Sequence, residues 1–166
     1  VVAICREFVP ILVRNDVQKH TISVIENWAP VVELPPIPKR NQWSWRNNLD
    51  DKFVFLYSGT LGLKHDPALL LKLAQVYQSV PNVQVVTVST GIGREWLESE
   101  KRKHNLKNLT LFDFVPYEQL PQVLATADVL ICILKPDAGV LSVPSKLLSY
   151  LCVGRPVLGV IPSENL

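Results

Sequence analysis

Apolar runs that alternate with helix-like segments from Asp51 onward constrain the fold of this chain most strongly. Runs rich in β-branched and aromatic residues predict strands, and apolar side chains at helical spacing predict the helices between them. The predicted strands cover residues 53–58, 83–88, 109–114, 129–134 and 157–161. The predicted helices cover residues 68–77, 94–103, 117–126 and 144–153. We therefore expect an α/β fold, a Rossmann-like open parallel sheet with helices on both faces and ligands at the carboxyl ends of its strands.

The first 50 residues lack this regular alternation. A short helix is predicted over 7–17, interrupted by Pro10, and a strand over 21–25. Prolines then crowd residues 30–38, and this composition predicts an extended connector through residues 40–46 rather than a separate domain. Trp43 and Trp45 lie in the connector, where we expect them to be exposed and to pack it against the domain rather than to bind a ligand.

Size and composition exclude several classes of protein. The 166 residues suit about one domain, and 48% hydrophobic with 19% charged residues rules out intrinsic disorder. A net charge of +2 gives no basis for binding nucleic acid or an anionic membrane surface. The most apolar run, 129–134, is far shorter than the about 18 residues that span a bilayer. The chain has no methionine and begins on the apolar residues 1–5, which suggests a piece of a larger protein.

Cysteines and histidines form no metal or catalytic motif in the sequence. The cysteines are Cys5, Cys132 and Cys152, and the histidines are His20, His65 and His104. Three widely spaced cysteines predict buried reduced thiols, which favours the cytoplasm. The histidines are isolated in sequence, no spacing is typical of zinc, and no Asp-x-Asp pair could hold a divalent cation. We predict neither a metal nor another cofactor.

Two glycine-rich loops follow predicted strands. In residues 58–65, Gly59 and Gly62 would let the backbone approach a ligand, and Lys64 would place an ammonium on a phosphate. A tight turn with a solvated lysine is the alternative, since the loop is neither a P-loop nor a G-x-G-x-x-G motif. The loop at 89–94 would likewise wrap a sugar or phosphate, or simply lead into the next helix.

A third candidate is the start of the predicted helix at 144–153. Pro144 and Ser145 open this helix after an irregular stretch. Free backbone N–H groups there would form an anion site, to which Lys146 adds charge. The alternative is an ordinary capped amphipathic helix with its leucines in the core.

Together these segments resemble the family 4 (group 1) glycosyltransferases. Residues 144–148 with 154–157 resemble their donor-site helix, and residues 57–64 resemble their first diphosphate loop. Residues 112–121 resemble the segment beside the nucleobase, and residues 127–130 resemble the strand that enters the site. The four motifs agree in order and spacing over residues 51–161. The nearest subgroup builds exopolysaccharides such as colanic acid and O-antigen, and includes N-acetylfucosaminyltransferase-like members.

The resemblance implies one half of a GT-B fold, in which two Rossmann-like domains enclose the active site. Residues 1–50 would be the end of the N-terminal domain and the interdomain linker. Residues 51–166 would be the nucleotide-sugar-binding domain, with its C-terminal end truncated. A glycan or polyprenyl-linked acceptor would bind through the missing N-terminal domain. The protein would be cytoplasmic, with peripheral attachment at the inner face of the membrane through that domain.

The resemblance also implies the residues of the site. Lys64 would be the catalytic cation that pairs with the diphosphate, which backbone amides of the first glycine loop and the helix start would also contact. Val115, Pro116 and Glu118 would lie near the base. The implied donor-binding residues are Gly59, Thr60, Leu61, Gly62, Lys64, Val115, Pro116, Glu118, Ser145, Lys146, Leu147 and Ser149.

Two departures from the family pattern bear on activity. Thr60 stands where many members have an arginine, and the loss of that arginine weakens one phosphate contact. Leu141 and Ser149 stand at the positions of two glutamates eight residues apart, so the ribose-side and sugar-side carboxylates are both replaced.

The implied reaction transfers a sugar from a nucleoside diphosphate sugar, UDP-linked, to a hydroxyl with retention of the anomeric configuration. Cations and dipoles at the diphosphate would stabilise the leaving group without a metal. We expect this chain alone to bind a donor without transferring it. The alternatives are a non-catalytic sugar-nucleotide-binding module and a GT-B UDP-sugar epimerase. A dehydrogenase is disfavoured because the G-x-G-x-x-G motif and its ribose carboxylate are absent.

Overall fold

A computed structural model describes residues 1–139 and 142–163, apart from the side chains of residues 137 and 139. The strands are β1 (Val2–Ala3), β2 (Ser23–Val24), β3 (Phe53–Ser58), β4 (Val83–Val88), β5 (Leu109–Phe112), β6 (Val129–Ile133) and β7 (Val157–Val160). The helices are α1 (Phe8–Arg14), α2 (Gln42–Arg46), α3 (Ala68–Val76), α4 (Ile92–Lys103), α5 (Leu120–Ala125), α6 (Pro136–Gly139) and α7 (Lys146–Cys152). Within the described ranges no helix has the length and apolar character needed to cross a membrane.

The main sheet is parallel throughout, with the strand order β5-β4-β3-β6-β7. β3 lies at its centre, with Tyr57 opposite Thr87 of β4 and Leu56 opposite Leu130 of β6. The chain adds β4 and β5 on one side of β3 and then returns to add β6 and β7 on the other. This reversal creates a switch point between the carboxyl ends of β3 and β6, where open α/β sheets bind ligands. The predicted Rossmann-like sheet is confirmed.

Helices cover both faces of this sheet, as predicted, because alternate side chains on each strand point to opposite faces. Val54 and Leu56 of β3 belong to one buried cluster, together with side chains of α2, α5 and α7. Tyr57 and Val85 belong to the other cluster, together with side chains of α3 and α4. Burial on both faces explains why the strands are nearly continuous apolar runs.

Several predicted boundaries differ from those in the structure. β5 ends at Phe112, two residues before the predicted end, and α7 begins at Lys146 rather than at Pro144. A 3-10 turn, Tyr117–Gln119, replaces the first turn of the helix predicted over 117–126. Pro10 does not interrupt α1, because it lies in the first helical turn, where a backbone N–H has no partner within the helix. β1 and β2 form a separate two-stranded parallel sheet.

The connector contains a capped helix, which corrects the prediction of an extended segment through residues 40–46. The Asn41 side chain accepts hydrogen bonds from the amides of Trp43 (2.9 Å) and Ser44 (3.1 Å). The Ser44 hydroxyl in turn accepts from the Asn41 amide (2.9 Å), which completes a capping box. Asn41 Nδ2 also donates to the Gln122 carbonyl (3.0 Å), so the cap is attached to α5.

The two tryptophans of the connector have opposite environments. Trp43 is 7% exposed, so the prediction of an exposed side chain was wrong for it, whereas Trp45 is 58% exposed. The Trp43 ring packs edge-on against Phe112, with 5.2 Å between ring centroids. Trp43 therefore packs the connector against the domain, as expected, because α2 buries one face in the same core as β3.

We predict that Trp43→Ala lowers the free energy of unfolding by about 3–5 kcal/mol, since it leaves a large cavity in the core. Trp45→Ala is the matched control on the same helix and should change it by no more than about 0.5 kcal/mol. Urea denaturation followed by circular dichroism measures both values. Equal small losses for the two variants would show that α2 does not belong to the core.

Candidate functional site

A cavity of about 620 Å³ opens at the switch point between β3 and β6. Its volume is within the range of small-molecule sites. Its walls come from the loop after β3, the chain leading into α7, and Asn27, Trp28 and Pro30, which precede α2 in the chain. Six of the predicted site residues line it, namely Gly59, Thr60, Lys64, Ser145, Lys146 and Ser149. Leu61, Gly62 and Leu147 do not line it.

The Lys146 side chain extends from the start of α7 past the carboxyl end of β3 into this cavity. Its Nζ donates to the Tyr57 hydroxyl (2.6 Å) and lies 4.3 Å from the centre of the Tyr57 ring. Gly59 makes room for it, since a Cβ there would lie 3.3 Å from both Lys146 Cε and Nζ, and its φ of +135° also favours glycine. Burial lowers the pKa of Lys146 to about 8, with a smaller contribution from Lys64. The amine is still mostly protonated at pH 7.

Lys64 supplies the second cation of the cavity. It is exposed, and its Nζ donates to the Ser142 hydroxyl (3.1 Å), which links the loop after β3 to the chain before α7. Among the described side chains, which do not include that of residue 137, no carboxylate forms an ion pair with Lys64 or Lys146 and no acidic group lines the cavity. Two cations without acidic partners among these side chains make the cavity attractive to an anion.

His65 is a site residue that the sequence analysis did not find. It is 6% exposed, its Nδ1 accepts from the Gly62 amide (3.2 Å), and its Nε2 lies 3.4 Å from Lys146 Nζ. Burial, and then the charges of Lys146 and Lys64, lower its pKa to about 4. Its position directly after Lys64 in a glycine-rich loop was the only signal in the sequence. Its contact with Lys146, 81 residues away, comes from the fold alone.

Most backbone amides of the first glycine loop bond within the protein. The amides of Gly59, Leu61 and Gly62 donate to Val88 O (3.0 Å), Thr90 O (2.9 Å) and His65 Nδ1 (3.2 Å), respectively. The Leu61 side chain is fully buried in the core. Of the four amides in residues 59–62 that were predicted to contact a diphosphate, three therefore already have acceptors within the protein. The lysine side chains carry most of the positive charge at this loop.

The second glycine-rich loop supports the first one. The Gly93 amide donates to the Leu61 carbonyl (2.9 Å), and a Cβ at Gly93 would lie 2.8 Å from that oxygen. A Cβ at Gly91 would lie 3.0 Å from the same oxygen. These close approaches favour the alternative in which the loop leads into α4, here packed against the first glycine loop. The second loop does not line the cavity at the switch point.

The start of α7 offers a ligand the side chain of Lys146, whereas two of the backbone amides there already have acceptors. The amides of Ser145 and Leu147 donate to the carbonyls of Val143 (2.8 Å) and Pro144 (2.9 Å), and the Ser145 side chain does not cap the helix. Ser149, which stands at a glutamate position of the family, lines the cavity one turn after Lys146. Leu141, at the other glutamate position, lies outside the described residues.

A second cavity of about 330 Å³ adjoins the first and shares Gly59, Lys146 and Ser149 with it. Its remaining walls are mostly apolar and include Phe114, Val115, Tyr117 and Tyr150. Of the three residues predicted near a base, Val115 lines this cavity, whereas Pro116 and Glu118 do not. An apolar cavity beside a cationic one suits a ligand with a flat, weakly polar part joined to an anionic part.

The open parallel sheet and its cationic switch-point cavity define a Rossmann-like domain of the nucleotide-binding class. The chain belongs to the glycosyl transferases of group 1, whose family model matches residues 39–159. This match confirms the resemblance noted in the sequence.

Three known proteins show the extent of the similarity. The chain is 26% identical over 145 residues to the "Putative colanic acid biosynthesis glycosyl transferase WcaI" of Escherichia coli (strain K12), covering 86% of this chain and 35% of WcaI. The structure of HepE from Anabaena in complex with UDP-glucose matches with a TM-score of 0.74 and 17% identity, covering 96% of this chain and 44% of HepE. The C-terminal domain of LpcC from Francisella tularensis, a group 1 glycosyl transferase, matches with a TM-score of 0.59 and 13% identity, covering 78% and 68%. The chain thus spans about a third of WcaI and less than half of HepE, and the two structural matches show the fold.

We predict that the free energy of unfolding falls as the pH drops from 6.5 towards 4, in part because of His65. In the unfolded chain this histidine takes up a proton near its ordinary pKa of 6.5, whereas the folded protein holds the pKa at about 4. His65→Gln, which does not titrate, should show a weaker pH dependence in this window. Urea denaturation at a series of pH values measures the difference. An NMR titration of the His65 ring with a midpoint near 6.5 would contradict the prediction.

Proposed function

We propose that this chain is the donor-binding domain of a retaining glycosyltransferase, one half of a GT-B enzyme. It would move a sugar from a nucleoside diphosphate sugar, with UDP as the nucleotide, to a glycan or polyprenyl-linked acceptor in polysaccharide biosynthesis. The observation that carries the proposal is the pair of cations Lys64 and Lys146, which have no acidic partner among the described side chains, in the switch-point cavity of a group 1 glycosyl transferase domain. The UDP-glucose bound to HepE and the pathway in the name of WcaI support this choice of donor and product.

The positions of the lysines fit the electrostatic demand of this reaction. When the bond between the sugar and the diphosphate breaks, negative charge grows on the leaving nucleotide. Lys64 and Lys146 would stabilise that charge in a partly buried site, where such stabilisation is stronger than in water. We propose that these side chains serve in place of a metal ion, with Lys64 as the catalytic cation. The described residues contain no group of three or more histidine, cysteine or acidic side chains placed to hold a metal.

The two adjoining cavities would orient the donor. The uracil ring would occupy the apolar cavity beside Val115 and Tyr117, and the diphosphate would lie at Lys146, which lines both cavities. The sugar would then extend towards Lys64 and Trp28. We propose that the acceptor is held by residues outside this chain, and that the protein works in the cytoplasm at the inner face of the membrane.

A non-catalytic sugar-nucleotide-binding module is the second candidate function. Ser149 favours it, because a hydroxyl at that position gives the donor no carboxylate of the kind the family's glutamate supplies. An epimerase would require acidic and histidine side chains in the cavity. His65 is present there, but no acidic residue in the described part of the chain lines it. Transfer measured with the full-length protein would separate an enzyme from a binding module.

We predict that the chain binds UDP more tightly than GDP or NADH. The apolar cavity of about 330 Å³ suits a single-ring base, and the G-x-G-x-x-G motif typical of NADH sites is absent from the sequence. Titration of each ligand into the ¹⁵N-labelled chain, followed by amide NMR shifts, measures the three affinities. Shifts with NADH alone, or with none of the three, would overturn the proposed function.

We predict that Lys64→Ala weakens UDP binding by about 1.5–3 kcal/mol, as expected for a lost hydrogen bond to a charged group. Lys72→Ala is the matched control, because Lys72 is an exposed lysine on α3 and lines none of the cavities described above. Calorimetric titration of UDP into the wild-type chain and the two variants measures the change. If Lys64→Ala bound UDP as tightly as the wild-type chain does, Lys64 would not belong to the site.

A further inference from the structure

The two ring nitrogens of His65 have different surroundings. Nδ1 accepts the amide proton of Gly62 (3.2 Å), and the His65 amide itself donates to the Gly62 carbonyl (3.1 Å). A neutral imidazole that accepts at Nδ1 carries its one proton on Nε2. The ring therefore has a fixed tautomer, and Nε2 is a hydrogen-bond donor.

The group next to Nε2 is also a donor. Lys146 Nζ lies 3.4 Å from Nε2. It donates a hydrogen bond to the Tyr57 hydroxyl (2.6 Å), which in turn donates to the Thr60 carbonyl (2.9 Å). An ammonium and an N–H cannot satisfy each other, since neither offers a lone pair. His65 is 6% exposed, and among the described residues no hydrogen-bond acceptor is found at Nε2. Both groups line the switch-point cavity, and a single acceptor atom of a ligand there would satisfy both.

We propose that His65 binds the nucleotide donor directly, with Nε2–H donating to the diphosphate oxygen that Lys146 also contacts. Nδ1 has a second role, because its bond to the Gly62 amide holds the ring and the loop after β3 in the orientation that this contact needs. A neutral donor on a rigid ring fixes the direction of the hydrogen bond, which a flexible ammonium does less well. This inference rests on the proposed function and adds a residue to its site.

Two substitutions separate the roles of the two nitrogens. In His65→Asn the side-chain oxygen can accept from the Gly62 amide as Nδ1 does, but the donor at the Nε2 position is lost. In His65→Gln the amide nitrogen lies near the Nε2 position, so the donor is kept. We expect the affinity for UDP to fall on the order of tenfold in His65→Asn and by about threefold in His65→Gln, which keeps the donor but loses the acceptor at the Nδ1 position. His20→Asn, on the exposed 3-10 turn, is the control and should bind UDP as the wild type does.

Calorimetry with UDP and with inorganic pyrophosphate gives the affinities, and NMR of the histidine ring nitrogens gives a direct readout. In the wild type the spectrum should show Nε2 protonated, and UDP should shift this N–H and slow its exchange with water. Amide spectra and thermal melts of both variants establish that they fold. If the wild type binds UDP and a folded His65→Asn binds it equally well, the His65 inference fails and the proposed function stands. If the wild type binds neither UDP nor pyrophosphate, both fail.

Discussion

The attachment of α7 to the end of the central strand β3 is the contact on which the rest of the site depends. The Tyr150 hydroxyl accepts from the Ser58 amide and donates to the Ser58 carbonyl, both at 2.9 Å. Lys146 lies four residues earlier on the same face of α7 and reaches Tyr57, the neighbour of Ser58. β3 is the central strand and pairs with both β4 and β6, and Ser58 at its end is in register with Val88 of β4. Two side chains of one helix are thereby held against the central strand of the sheet.

This attachment also explains how a lysine is kept in a partly buried position. Burial disfavours the charged amine, which is why the pKa of Lys146 falls to about 8. The Tyr57 hydroxyl and ring face offset part of that loss, and no carboxylate in the described part of the chain offsets the remainder. The ammonium therefore gains more from a bound anion than a solvated lysine would, and binding should raise its pKa again. Lack of an acidic partner among the described side chains leaves the positive charge available to the ligand.

The sequence predicted the sheet well because the relevant signals are local. Apolar runs and helical spacing repeat within each segment, and the alternation of the two determines a parallel sheet whose carboxyl ends meet at one edge. The helix of the connector also has a local signal in the sequence, since Asn41 with Ser44 three residues later fits a capping box. Prolines nearby pointed instead to an extended segment. The burial of Trp43 could not be derived, because it depends on Phe112 from a distant strand.

The chemistry of the site was less predictable because it depends on contacts between distant segments. Lys64 and Lys146 were found through local motifs, whereas the occupied amides of Gly59 and Leu61 depend on carbonyls of β4 and the loop that follows it. Glycine-rich loops look alike in sequence whether their amides face a ligand or a neighbouring strand.

The same principle applies to the residues before α2, for which the sequence predicted no part in the site. Trp28 is 78% exposed and lines the switch-point cavity together with Lys64 and Lys146. Residues that precede the main sheet in the chain thus form part of the wall of this cavity. If the base lies in the apolar cavity and the diphosphate at Lys146, the sugar end of the donor has to face this wall. An aromatic ring there can pack against the apolar face of a sugar. The part of the chain with the weakest sequence pattern would then contact the part of the donor that distinguishes one nucleotide sugar from another.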